Sequence, residues 1–114
     1  MRAVKMQWRG VEYTISANRA FQIGEEVEDI VTLAEIAQWG ARPKMHKLAR
    51  CFATMLRFAG CKVADATVFD DMMAAKEDAS GQMVWAQAIA ALAELLTGGA
   101  PEGEGDAPEK TSAS

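Results

Sequence analysis

Histidine is nearly absent from this chain. His46 is the one imidazole in 114 residues, and only Cys51 and Cys61 supply thiols. A structural zinc site takes four nitrogen or sulfur ligands at close spacing, so the ligand supply argues against zinc. Nucleophilic catalysis of the Ser/His/Asp or Cys/His type needs its histidine to face the nucleophile. His46 and Cys51 are five residues apart on one expected helix, which turns them about 140° away from each other. A basic surplus is also missing. Lys and Arg total 12 against 16 Asp and Glu, for a net charge of −4, which speaks against a general nucleic-acid binder. No apolar run is long enough for a bilayer: residues 83–96 are the greasiest stretch, they fall short of the roughly 20 residues required, and Gln87 and Glu94 interrupt them. The start, "MRAVKMQWRGVEY", has no leader pattern. "GGAPEGEG" is glycine-rich but lacks the preceding strand and the Lys-Ser/Thr of a phosphate loop. These absences predict a cytoplasmic, membrane-free protein with no metal, no cofactor and no enzymatic activity. Cys51 and Cys61 are expected as buried free thiols.

What is present is pattern. Val4, Met6 and Trp8 alternate with Lys5, Gln7 and Arg9, and Val11, Tyr13 and Ile15 alternate with Glu12, Thr14 and Ser16. Period two on both sides of "RG" predicts a β-hairpin over residues 3–16 with one apolar face, turning at Gly10. An isolated hairpin is marginal in water, so that face must lie on helices. The period then changes. A helix is predicted over 18–30, capped by Asn18, with Phe21, Gly24, Val27 and Val31 on its packing side. A second, over 32–39, has Thr32 and Glu35 at the spacing of a capping box and Gly40 at its end. Sequence alone leaves open whether these two are one bent helix.

The clearest helix spans 43–59. Pro43 suits its first turn. Met45, Leu48, Phe52, Met55, Leu56 and Ala59 fall within about a 100° arc, and Gly60 follows. Residues 65–78, capped by Asp65, carry Val68, Phe69, Met72 and Met73. A last helix over 80–97 opens at Ser80, has a stripe of Trp85, Ile89, Leu92 and Leu96, and ends at Gly98. The fold class is therefore α+β, mostly α: a hairpin packed on four to five helices in one domain, residues 1–97. Residues 98–114 contain no large apolar side chain and are expected as a disordered acidic tail. Four carboxylates against Lys110 give that tail a net of −3, which leaves −1 for residues 1–97.

The stretch "NRAFQIGEEVEDI" is the main candidate for function. Glu25, Glu26, Glu28 and Asp29 crowd into five residues. On a helix, Glu25 shares a face with Glu28 and with Asp29, and like charges at those spacings repel by a few tenths of a kcal/mol. A calcium loop needs ligands spaced through a glycine-containing turn, and "EEVED" has neither the spacing nor the turn. An acid pair for glycosyl transfer needs a cleft, for which a chain of this size leaves little room. Two readings remain: a solvated helix face, or a docking face for a basic partner. Gly24 points to something packed closely against this helix. Glycine inside a helix costs about 1 kcal/mol relative to alanine, and close packing is its best compensation. Trp8 or Tyr13 from the hairpin, or a neighbouring subunit, could lie against it.

The cationic candidates are Lys44, Lys47 and Arg50, on the polar side of the 43–59 helix. With the preceding "TLAEIAQWG" they superficially resemble a helix-turn-helix, which makes a small DNA-binding regulator the alternative function. The strong apolar stripe on that helix suits a central packing element instead. Pairing of Lys44, Lys47 and Arg50 with the carboxylates Glu25, Glu28 and Asp29, within one chain or between subunits of a homo-oligomer, is a comparable use for these charges.

The order of features resembles a known family. A hairpin is followed by "FQIGEEVEDIVTLAEIAQWG" and then by "PKMHKLARCFATMLRFAGCKVADATVFDDM". The layout is similar to the small tail assembly chaperones of long-tailed phages, in the form found in prophages and gene transfer agents, over residues 8–97. "LRFAGCKVADATVF" carries most of the likeness. The resemblance implies a protein that binds the long, apolar, helical tape measure protein, keeps it soluble, recruits tail tube subunits, and is missing from the finished particle. Many members also occur as a longer frameshifted form, for which residues 98–114 would suit as a junction. Seven methionines, five of them in the predicted helices, fit core filling first and an adaptable binding surface second.

Overall fold

A computed structural model describes residues 2–78 and 80–98, and the segment 99–114, which holds nearly all of the expected tail, lies outside the described residues. The chain forms β1 (Val4–Trp8), β2 (Val11–Ile15), α1 (Ala17–Glu28), α2 (Leu33–Trp39), α3 (Met45–Phe58), α4 (Asp65–Met73) and α5 (Val84–Leu96). This is the α+β, mostly α arrangement that the periodicities require. The strands pair antiparallel, with Val4 opposite Ile15 and Trp8 opposite Val11. Only Arg9 and Gly10 connect them, at φ of 50° and 84°. Two positive φ angles in a two-residue loop give the turn hand that matches strand twist. Glycine takes such an angle freely, whereas Arg9 must be held there.

β1 lies on α5, and β2 reaches α3. Val4, Met6, Trp8 and Ile15 are buried, but Val11 at the tip is 51% exposed, so the apolar face of the hairpin overhangs the core at its turn end. The Gln87 carboxamide on α5 accepts a hydrogen bond from the Gln7 backbone N–H. That contact occupies part of the outer edge of β1, which would otherwise be open for pairing with another chain.

α3 is the central element. It packs against α1, α4, α5 and β2, and Leu48, Ala49, Cys51, Phe52, Ala53, Met55 and Leu56 are all buried. Its end follows from one residue. Gly60 has φ 104°, and the N–H groups of Gly60 and Cys61 donate to the carbonyls of Arg57 and Leu56. These are the two crossed bonds of a Schellman closure.

The helix limits differ from the sequence expectation in several places, each with a local cause. α1 begins at Ala17, and Ser16, not Asn18, is its N-cap residue. The Ser16 hydroxyl donates to the Asn18 carboxamide at 2.8 Å, while the Ser16 carbonyl accepts from Arg19 and Ala20. α1 and α2 are separate. Thr32 is extended, and its hydroxyl accepts from the Glu35 N–H at 3.2 Å. The Glu35 carboxylate does not complete the box, because it pairs with Lys47 at 2.8 Å. Pro43 lies before α3, whose N-cap is the extended Lys44. Asp65 is the first residue inside α4 and its N-cap is Ala64; the Asp65 carboxylate meets Arg57 at 2.8 Å.

α4 stops at Met73 rather than at 78. Ala75 adopts φ 56°, and the Lys76 and Ala75 N–H groups donate to the Asp71 and Met72 carbonyls. This is again a Schellman closure, made without the glycine that normally announces one. α5 starts at Val84, not Ser80. One Asp78 carboxylate oxygen accepts from the Ser80 N–H, the Ser80 hydroxyl and the Gln82 N–H, which ties that segment into a turn. The α5 stripe is also rotated from the expected one. Val84, Ala88, Ala91, Leu92 and Leu95 are buried, while Trp85, Ile89 and Leu96 are only partly so.

Candidate partner-binding surface

α1 places its chemistry by helical register. Ala20, Ile23 and Val27 are buried, followed by Val31 just beyond the helix. That leaves Phe21 a quarter-turn outside the packed face, 66% exposed. The expectation that Phe21 packs inward is thus corrected: the true stripe runs 20–23–27–31, and Phe21 projects to solvent. Gly24 is partly buried, and its neighbour is not a hairpin ring. A Cβ built on it would meet the Leu95 side chain at 3.9 Å. The last turn of α1 therefore sits beside the last turn of α5.

Between these two helix ends lies a groove of about 250 Å³. Ala20, Phe21, Gly24, Leu95 and Leu96 supply its apolar lining, and Glu25 and Glu28 its acidic rim. Glu25, Glu26, Glu28 and Asp29, with Gln22, also border a shallow concavity on the outer side of α1. All four carboxylates are exposed. None forms an ion pair among the described residues, and α1 has no basic residue in its last turn.

The structure does not bring the two sets of candidate residues together. Lys47 bonds Glu35 on α2, not Glu25, Glu28 or Asp29, so the proposed intramolecular pairing is corrected. Lys44 and Arg50 are exposed on α3 without an ion pair among the described residues. Lys47 holds the Glu35 carboxyl below its usual range through that hydrogen bond, against the opposing effect of burial.

Two features escaped the sequence reading. The first is the ion pair that anchors the hairpin turn. The Arg9 guanidinium places two nitrogens on the Asp71 carboxylate, at 3.1 and 3.0 Å. The Asp71 side chain is 6% exposed, and Lys76 stands 3.5 Å away. Hydrogen bonding from Arg9 holds the Asp71 carboxyl below its usual range despite burial. This two-pronged bond is what retains arginine at a positive φ. Its signal in sequence is a carboxylate between Val68 and Met72 on the apolar stripe of α4. The second is an apolar patch of Pro43, Met45, Met72, Met73 and Trp85, where Met73 is 60% exposed.

His46 is exposed, and its ring stacks on Phe69 with centroids 4.2 Å apart. Cys51 and Cys61 are buried and unbonded to each other. Burial pushes the Cys51 thiol up to about 12, which keeps it in the unreactive thiol form. Iodoacetamide at pH 8 is expected to leave Cys51 unmodified in the native protein and to alkylate it fully in denaturant, as read by intact mass. Rapid native labelling of Cys51 would contradict this packing. Among the described residues no group of three or more His, Cys, Asp or Glu side chains is placed to hold a metal. No described helix is long and apolar enough to cross a membrane. Comparison with protein-family models, curated proteins and solved structures finds no match.

Proposed function

We propose that this chain is a tail assembly chaperone of the prophage or gene transfer agent type. It binds the tape measure protein in the host cytoplasm, keeps it soluble, helps recruit tail tube subunits, and leaves before the particle is complete. The observation that carries the reading is the groove between α1 and α5. It presents the exposed Phe21 ring and the partly exposed Leu96 beside Glu25 and Glu28, which form no ion pair among the described residues, and such a surface suits contact rather than bond chemistry. The layout, hairpin then "FQIGEEVEDI" then the "LRFAGCKVADATVF" segment, supports the family reading by resemblance.

The test is co-expression with a candidate tape measure protein from the same genome. The tape measure fraction that remains in the supernatant should rise severalfold when this chain is present. Equal insolubility with and without it would overturn the reading. Salt-sensitive binding of the purified chain to random duplex DNA at micromolar protein would instead favour the regulator built on Lys44, Lys47 and Arg50.

A further inference from the structure

We infer that the groove between α1 and α5 is the docking site for an amphipathic partner helix whose apolar stripe is bordered by lysine or arginine. This deepens the chaperone reading and rests on it for the identity of the partner.

Three features that are unfavourable in the isolated chain meet on this one surface. Phe21 leaves most of its ring in water although buried positions lie one residue before it and two after, at Ala20 and Ile23. Gly24 stands in mid-helix, where glycine weakens the helix relative to alanine. The fold does not require it there: an added Cβ would make only an ordinary contact at 3.9 Å with Leu95. Glu25, Glu26 and Glu28 close α1, followed by Asp29 at the C-cap. The negative end of the helix dipole and their mutual repulsion both disfavour carboxylates in that position. A single occupant relieves all three. Its apolar side chains cover Phe21 and the partly exposed Leu96. Its backbone comes close over the bare Gly24. Its cations meet Glu25 and Glu28.

Charge decides against the chain's own segment 99–114, which carries a net −3 and no large apolar residue. A second copy brings no cationic surplus, because residues 1–97 carry a net −1. Its apolar patch at Pro43, Met45, Met73 and Trp85 makes self-association the competing outcome, read as groove shifts that depend on protein concentration alone. The acidic rim and apolar lining fit a separate basic, amphipathic helix, bound in the helix-in-groove manner.

The test is an amide NMR titration of the full chain with two synthetic 20-residue helical peptides. Both carry a leucine stripe; one is bordered by lysine and the other by glutamate. The lysine peptide should shift the amides of Ala20, Phe21, Gly24, Leu95 and Leu96, and the glutamate peptide should not. Phe21→Ala and the Glu25→Lys/Glu28→Lys pair should each weaken binding about tenfold, while Glu77→Lys, away from the groove, should not. Gly24→Ala is the sharpest variant. It should raise the melting temperature and still weaken the peptide. Shifts elsewhere, equal binding of both peptides, shifts that depend on protein concentration alone, or a Gly24→Ala protein with unchanged affinity would each overturn the inference. If the peptide docks as described but tape measure solubility is indifferent to this chain, the function fails and the groove stands. If solubility depends on this chain but the shifts map elsewhere, the groove fails and the function stands.

Discussion

Phe52→Ala is expected to lower the melting temperature by roughly 15 °C or more, so that a large fraction of the chain is unfolded at 37 °C. Phe52 is wholly buried at the middle of α3, the helix that touches α1, α4, α5 and β2. Truncating a buried phenylalanine to alanine costs about 3–5 kcal/mol, through lost transfer energy and the cavity left behind. A domain of this size has about 5–15 kcal/mol in total, and each kcal/mol moves the midpoint by about 4–8 °C. Phe52→Leu keeps most of the volume and should cost much less. Circular dichroism melts of the three proteins check this. A Phe52→Ala protein that melts within a few degrees of the parent would mean that α3 is not the centre of the core.

The second large effect concerns the buried carboxylate. Asp71→Ala removes hydrogen bonds from Arg9, which are worth about 1.5–3 kcal/mol for charged partners in general. The expected fall in melting temperature at pH 7 is roughly 5–10 °C. Arg9→Ala should lower it further, because it strands the carboxylate in the interior with only Lys76 beside it. That difference has a definite pH dependence. The Asp71 carboxyl is held below its ordinary value of 3.8 in the folded protein. The folded state therefore favours the ionised form, and the gain is fully present above the unfolded value. It is lost as pH falls below 3.8 and through the folded value. Glu35, held below 4.5 by Lys47, contributes in the same direction. The parent should lose stability more steeply with acid than Asp71→Ala, and the gap between their melting temperatures should close as pH falls below 3.8. Parallel pH profiles would show that the Arg9–Asp71 pair does not hold the hairpin turn.

Most of the architecture is legible in sequence because period is a property of single elements. The alternation around "RG" gives the hairpin, and the Leu48–Phe52–Met55 spacing gives α3 with its buried face. Gly60 and Gly98 mark two helix ends, and Thr32 marks a start. What sequence hides are features made by contact between elements or by a residue acting out of type. Ala75 closes α4 at a positive φ that usually belongs to glycine, so the helix reads too long. The three-fold grip of Asp78 on its own turn delays α5 past Ser80. The most consequential error is the rotation of α1. Phe21, Gly24 and Val27 form a plausible stripe, but Ala20, Ile23 and Val27 form the packed one. Composition favours the larger side chain for the core, yet the buried position goes to the smaller Ala20 and Phe21 stays exposed. That one-residue rotation turns Phe21 from core into surface. The other wall of the groove, Leu95 and Leu96, comes from a helix some seventy residues away, and no local pattern could assign it.

Docking through the carboxylates of α1 requires that the fold itself does not use them, so reversing them should leave the free protein at least as stable. The melting temperature of the Glu25→Lys/Glu28→Lys double variant at low salt tests this most directly. Reversal removes like-charge repulsion and places cations at the negative end of α1, so the midpoint should rise by a few degrees and the gain should shrink in salt. A fall of several degrees would contradict the account, because it would mean that Glu25 and Glu28 are held by the fold itself.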